Sequence, residues 1–347
     1  MTAVSAVVRR PTIRSLATSL GVSRTTVSEA LRDHPRVRRE TRERIQRAAQ
    51  EAGYRFNPLA SSLLSEVRRT RLRSFHGVLA AVGHEEPARI PFPGAYWRDL
   101  LEGARDRGLE LGFKLEHFVV GPRRLTIPRL NTILQARGIR GVLIMPAWDR
   151  PDFRQLNWPA LTGVYADYLM DQPGLSSVCP DHPRGMELAM MRLRELGYRR
   201  PGLVLLQQES TRLHDRWLAA FLAFCHLHPE MRARPPLIVP AMNEGTFKRW
   251  FRRHRPDVVV GHRAQMIAWM DECGARVPET HGFCCLNRGL NAQPCAGLDQ
   301  RPYHVGVRAI ELVISQIHQN SYGIPELASN TTVPMRWVDG PTLRPPG

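Results

Sequence analysis

Apolar positions recur at helical spacing in the first fifty residues. Ile13, Leu16, Ala17 and Leu20 form one stripe, with Thr12 as a suitable N-cap and Gly21 as the stop. Ser23 can cap a second helix whose inward face is Val27, Ala30 and Leu31. A third stripe, Ile45, Ala48, Ala49 and Ala52, ends at Gly53. Three such stripes predict a small three-helix core. Beyond residue 75 the pattern changes to short, continuous apolar runs: Gly77–Val82, Gly141–Met145, Leu161–Tyr165, Gly202–Leu206, Leu237–Val239, Asp257–Val260 and Gly282–Leu286. Amphipathic stretches separate them at 96–108, 128–137, 185–196, 213–226, 263–273 and 302–319. This alternation predicts parallel sheets wrapped by helices.

The first two helices, joined by a glycine turn, read as a helix-turn-helix. Arg24, Thr25, Ser28 and Glu29 fall on the outward face near the start of the second helix, where a recognition helix carries its base-reading side chains. After the third helix, Asn57 can cap and Pro58 suits a first helical position. Leu59, Ala60, Leu63 and Leu64 then make an apolar segment too short to hold a helix alone. Residues 65–74, SEVRRTRLRS, form a basic linker.

Gly21-Val22-Ser23, Thr26-Val27-Ser28, Val37, Thr41-Arg42, Gly53-Tyr54 and Asn57-Pro58-Leu59-Ala60 resemble the lactose-repressor (LacI) family of bacterial transcription regulators. The resemblance implies an α/β core of two periplasmic-binding-protein-like lobes plus an all-α helix-turn-helix head. The expected divisions are a head at 1–56, a hinge and linker at 57–74, and a core at 75–340. Crossings expected within 190–205, near 295–300 and near Gly323 give one lobe of 75–197 with 298–323 and another of 198–297 with 324–340.

The resemblance also implies a homodimer on a palindromic double-stranded operator, acting as a repressor and modulated by a small molecule between the lobes. Arg24 and Thr25 occupy the positions that vary with operator sequence. Glu29 stands where relatives commonly carry a guanine-reading arginine; it can accept from cytosine or orient Arg32 or Arg36. Thr12, Ser23, Thr26, Ser28, Arg32 and Thr41 are expected on phosphates, which fix register. Asn57, Ala60 and Leu63 belong to the hinge, with Leu63 at the position of a minor-groove wedge.

Charge distribution agrees with a nucleic-acid partner. The 347 residues carry 49 basic and 32 acidic side chains, a formal net charge of +17. Residues 1–73 alone hold 16 arginines against 6 acids. Concentrated positive charge is what phosphate neutralisation requires. Lysine occurs only at 114 and 248, so part of the arginine bias is chain-wide.

No run reaches the ~18 apolar residues of a membrane span, and the start of the chain does not read as a secretory signal; a cytoplasmic location is expected. The 6 cysteines form no CxxC pair and read as buried free thiols. No metal, cofactor or catalytic motif emerges, so an enzyme acting on a sugar or nucleoside is the distant alternative.

Effector candidates are the aromatic and polar residues expected at strand ends. Tyr96, Trp148, Asp167, Arg216, Trp217, His262 and Asn287 are the chosen set, with His84, Trp97 and Tyr165 as further possibilities. Trp217 stands where sugar-binding relatives place an arginine, and His262-Arg263 where they place Asn-Asp. Both changes remove groups that grip sugar hydroxyls. A sugar derivative, a different small molecule and a vestigial cleft therefore all remain open.

Overall fold

The computed structural model describes residues 13–31, 37–51, 75–85, 94–147, 152–166 and 173–345. The chain divides into two compact units, Met1–Ser74 and Phe75–Gly347.

In the first unit, α1 (Ile13–Leu20), α2 (Arg24–Ala30) and α3 (Arg39–Glu51) enclose Leu16, Ala17, Val27, Ala30, Val37, Ile45 and Ala49. Ile45 is fully buried at the centre. Gly21 has φ +66°, the left-handed turn its position demanded. The turn closes as Val22 N–H donates to the Ala17 carbonyl at 3.1 Å.

The second unit contains two six-stranded sheets among its described residues. The first is built from β1 (Gly77–His84), β2 (Phe113–Val120), β3 (Gly141–Ile144), β4 (Thr162–Ala166), β5 (Ser176–Pro180) and β11 (Asn330–Val333), in the order β11-β5-β4-β3-β1-β2. All its pairings are parallel. The second contains β6 (Pro201–Leu206), β7 (Arg234–Val239), β8 (Val258–Gly261), β9 (Gly282–Cys285), β10 (Gly297–Asp299) and β12 (Arg336–Val338), in the order β12-β10-β9-β8-β6-β7. Here β12 runs antiparallel to β10.

Each sheet is covered on both faces, which is why its strands read as unbroken apolar runs rather than alternating ones. Leu79, Ala81, Leu143 and Val164 point into one core with α4 (Gly94–Glu110) and α11 (Pro302–His318). Their neighbours Ala80, Val82, Val142 and Ile144 join a second core with α5 (Ile127–Ala136). Gly103 and Gly306 let α4 and α11 approach backbone to backbone; a Cβ at either would collide with the opposite helix. The second sheet is flanked by α6 (His182–Glu195), α7 (Gln207–Thr211), α8 (Arg216–Leu227), α9 (Glu244–His254) and α10 (Met266–Asp271).

The lobe boundaries differ from the sequence expectation at two crossings. The first lies at Pro180–Asp181, not within 190–205, because Met186, Ala189, Met190 and Leu193 of α6 face the second lobe's core. The second follows Asp299, through Arg301 at φ +54° into α11. The third is Pro334-Met335 rather than Gly323, since β11 pairs with β5 in the first sheet through Asn330 opposite Ser177. The first lobe therefore owns 75–180 and 302–333. Residues 324–333, expected in the second lobe, lie in the first.

Candidate DNA-reading head and interlobe cleft

The local chemistry of the head sets the start of α2. Ser23 is extended (φ −69°, ψ 152°), and its Oγ accepts the Thr26 N–H at 3.0 Å while lying 2.8 Å from Thr26 Oγ1. One otherwise orphaned donor of the first turn is thereby satisfied. The helix so fixed carries Arg24, Thr25, Ser28 and Glu29. Gln46 of α3 donates to the Ala30 carbonyl at 3.1 Å, tying α3 to the end of α2. Glu29, Thr26 and Thr41 are half-buried. The side chains of Arg24, Thr25 and Ser28 lie outside the described residues, as do Thr12, Arg32, Arg36, Asn57, Ala60 and Leu63.

In the core unit both lobes share one winding: β2-β1-β3-β4-β5 in the first and β7-β6-β8-β9-β10 in the second. In such sheets the strand order reverses between the first and third strands, and ligands bind outside the carboxyl ends there. In the second lobe that point lies between β6 and β8. Glu209, just past β6, meets His262, just past β8, with Oε2 to Nδ1 at 3.3 Å. Arg263 Nη2 stands 3.6 Å from the other carboxylate oxygen, and the Leu206 N–H donates to Oε2 at 3.3 Å. Burial pushes Glu209 upward, but His262, Arg263 and the Leu206 N–H outweigh it and hold the carboxyl well below its usual range. Glu209 therefore stays ionised.

Trp217 stands on the first turn of α8 and is wholly buried. Its ring lies edge-on between His182 (centroids 5.0 Å apart) and His262 (6.0 Å), and its Nε1 has no hydrogen-bond partner. The ring is thus part of the second lobe's core and offers no open face for a sugar to stack on. His182, the first residue of α6, is also buried. Burial, then the positive charges of Arg212, Arg216 and His262, push it well below the usual histidine value. Arg216 is half-buried, with Nη1 3.8 Å from Cys179 Sγ at the end of β5.

Two other sequence candidates meet from opposite lobes. Tyr96, on the first turn of α4, is 2% exposed and packs beside Gly289, in the turn that Asn287 begins. Asn287 Nδ2 donates to Gln300 Oε1 at 3.1 Å, and its Oδ1 accepts the Gly289 N–H at 3.1 Å. Tyr165 is buried, donating to the Pro173 carbonyl at 2.9 Å, while Trp97 leans on His117. His84 is half-buried at the end of β1. Trp148 and Asp167 lie outside the described residues. Sequence reasoning missed His182, Glu209 and Arg212. Only Glu209 carried a signal, its place three residues beyond the β6 run.

Among the described residues no group of three side chains could hold a metal. Burial pushes the Cys285 thiol up to about 12, so it stays protonated.

Residues 12–57 match the family model described as bacterial regulatory proteins, lacI family. The head of the chain therefore carries the DNA-binding segment of that family. Over 319 residues it is 29% identical to an HTH-type transcriptional regulator of Mycolicibacterium smegmatis, covering 91% of this chain and 79% of that protein. A solved lac repressor dimer, bound to operator and the anti-inducer ONPF, superposes with TM-score 0.56 at 17% identity, covering 96% of this chain and 99% of that one. A complex of the regulator CelR with cellobiose gives TM-score 0.58 at 19% identity, covering 96% and 100%. At these identities the solved structures establish the shared fold. With a LacI-type head and a regulator matched along most of its length, the chain is accordingly a DNA-binding transcriptional regulator with a two-lobed α/β core.

Proposed function

We propose that this regulator binds a palindromic operator as a homodimer, most simply as a repressor, and that a small molecule between the lobes modulates binding. The observation that carries the reading is a capped helix-turn-helix with its own core, joined in one chain to a two-lobed unit. One such head reaches only a few base pairs, so useful specificity calls for two heads and a site of matching symmetry. Arg24 and Thr25 are the proposed base readers. Ser23, Thr26, Ser28, Arg32 and Thr41 are assigned to phosphates, and Leu63 to the minor groove. The cleft assignment keeps Arg216, His262 and Asn287 at its rim and gives Trp217 a supporting place behind them. The protein acts by binding, not by catalysis.

Genome-wide footprinting with the purified protein tests the reading. An inverted repeat of about 14–20 base pairs, centred on a flexible pyrimidine-purine step, is expected. A protected site without dyad symmetry refutes the homodimer.

A further inference from the structure

The described wall of the cleft has an unusual charge balance. Its carboxylates are already engaged. Glu209 is tied to His262 and Arg263. Asp181 caps α6 by accepting the Arg184 N–H at 3.3 Å. Asp215 is exposed and accepts from Ser210 Oγ at 2.6 Å. Arg216, by contrast, is half-buried and forms no ion pair with any described carboxylate; its Nη1 lies 3.8 Å from Cys179 Sγ. Beside it, Trp217 Nε1 is a fully buried donor with nothing to donate to. The next residue in sequence thus repeats the shortage of acceptors. A partly desolvated cation without a counter-charge is unfavourable, and an anion that reaches it gains charge-assisted hydrogen bonds. Among the described residues, the charges that bear on the buried ring of His182, those of Arg212, Arg216 and His262, are all positive.

We propose that the effector of this cleft is an anion: a small molecule bearing a carboxylate or a phosphate, received by Arg216 at the second lobe's face. The inference rests on the cleft reading given under Proposed function. It departs from a neutral sugar because the buried Trp217 ring shows no face for stacking, while Arg216 has no counter-charge among the described residues. This uncompensated charge also suits a bistable switch. Closing the lobes moves the rim into a drier medium, where an anion matched to Arg216 favours the closed arrangement and an unmatched Arg216 opposes it.

Full-length protein titrated by calorimetry with matched pairs decides the matter: glucose against glucuronate and against glucose 6-phosphate, and ribose against ribose 5-phosphate. The charged member should bind at least tenfold more tightly than its neutral partner and weaken with rising salt; the two kinds of acid distinguish carboxylate from phosphate. Arg216→Gln should remove tenfold or more of that affinity, and Arg216→Lys should keep most of it. Circular dichroism and melting of each variant confirm that the core is folded. Equal binding of charged and neutral members, untouched by Arg216→Gln, overturns the anion and leaves the cleft reading standing. Charged binding indifferent to Arg216→Gln overturns the proposal, since Arg216 then does not receive the anion. Binding by no member of any pair at millimolar concentration also overturns the proposal. Asp167→Asn checks for an internal counter-ion: unchanged or tighter anion binding supports the proposal. Loss of anion binding in that variant overturns it.

Discussion

His182 offers a direct measurement of the electrostatics behind the cleft. Its folded-state affinity for a proton is reduced by burial and by Arg212, Arg216 and His262. The unfolded chain has no such penalty and takes the proton near pH 6.5. The sign follows: above that pH neither state is protonated and stability is full. As pH falls, the unfolded state gains a proton that the folded state refuses, so stability drops. For one group that resists protonation throughout the interval, the loss between pH 6.5 and 5.5 is about 1 kcal/mol, and each further unit adds about 1.4 kcal/mol until the folded-state value is reached. The perturbation is His182→Gln, which keeps a polar side chain without the titration. Urea unfolding followed by core tryptophan fluorescence, at half-unit pH steps from 8 to 5, gives stability curves for both proteins. His117, His281 and His304 are also shifted downward and contribute slopes of the same sign, but they are common to both curves. The difference curve should be flat above pH 7 and turn against the parent below 6.5. A difference that stays flat to pH 5 refutes the assignment of a buried neutral imidazole at this position.

Ser23→Ala removes the side chain that caps α2 and should cost the head about 1 kcal/mol, seen as earlier melting of its helical signal and weaker DNA binding. Glu209→Gln strips His262 and Arg263 of their buried carboxylate partner and should lower core stability by about 1–3 kcal/mol by urea titration. A variant as stable as the parent would show that this buried pair contributes nothing net. Leu63→Ala should leave the core unit's melting unchanged while reducing operator bending in a circular-permutation shift assay. Unaltered bending would demote Leu63 from wedge to bystander.

Much of the architecture was legible because its elements follow simple periodicities. The stripes around Leu16, Val27 and Ile45 mark the three helices of the head, and the unbroken runs through Ala80, Val142 and Val259 mark strands buried on both faces. What escaped notice has identifiable causes. β2 is an edge strand that carries Lys114 and Glu116 on one face and His117 on the other, so its apolar signal is diluted. β5 buries Ser176 and Ser177, whose hydroxyls bond to Ser329 and Asn330 of a distant segment. α9 hides Phe247, Trp250 and Phe251 among arginines. The third crossing was misplaced because Asn330–Val333, mostly polar and exposed, becomes a strand only by pairing with β5. Site residues fared unevenly for the same reason. Trp217 and His262 announced themselves as departures from a known motif. Their neighbours Glu209 and His182 are brought to them by sheet winding across tens of residues; Glu209 had only its place just past the β6 run to mark it, and His182 had no local mark at all.

The interleaving of the two lobes along the chain bears on how the protein is made. The first sheet is missing its sixth strand, and its core is missing α11, until residues 302–333 leave the ribosome. During synthesis of residues 181–301 the apolar face of α4 has no partner helix and β5 presents an open edge. At ~5–20 residues per second that interval lasts about 6–24 s. Nascent chains stalled before residue 302 should therefore recruit chaperones and pair wrongly with one another through β5, while the head, complete by residue 51 in its described helices, already stands folded outside the tunnel. Truncations beyond residue 300 would fail for the same reason: they strip elements from a lobe whose remaining residues were translated much earlier.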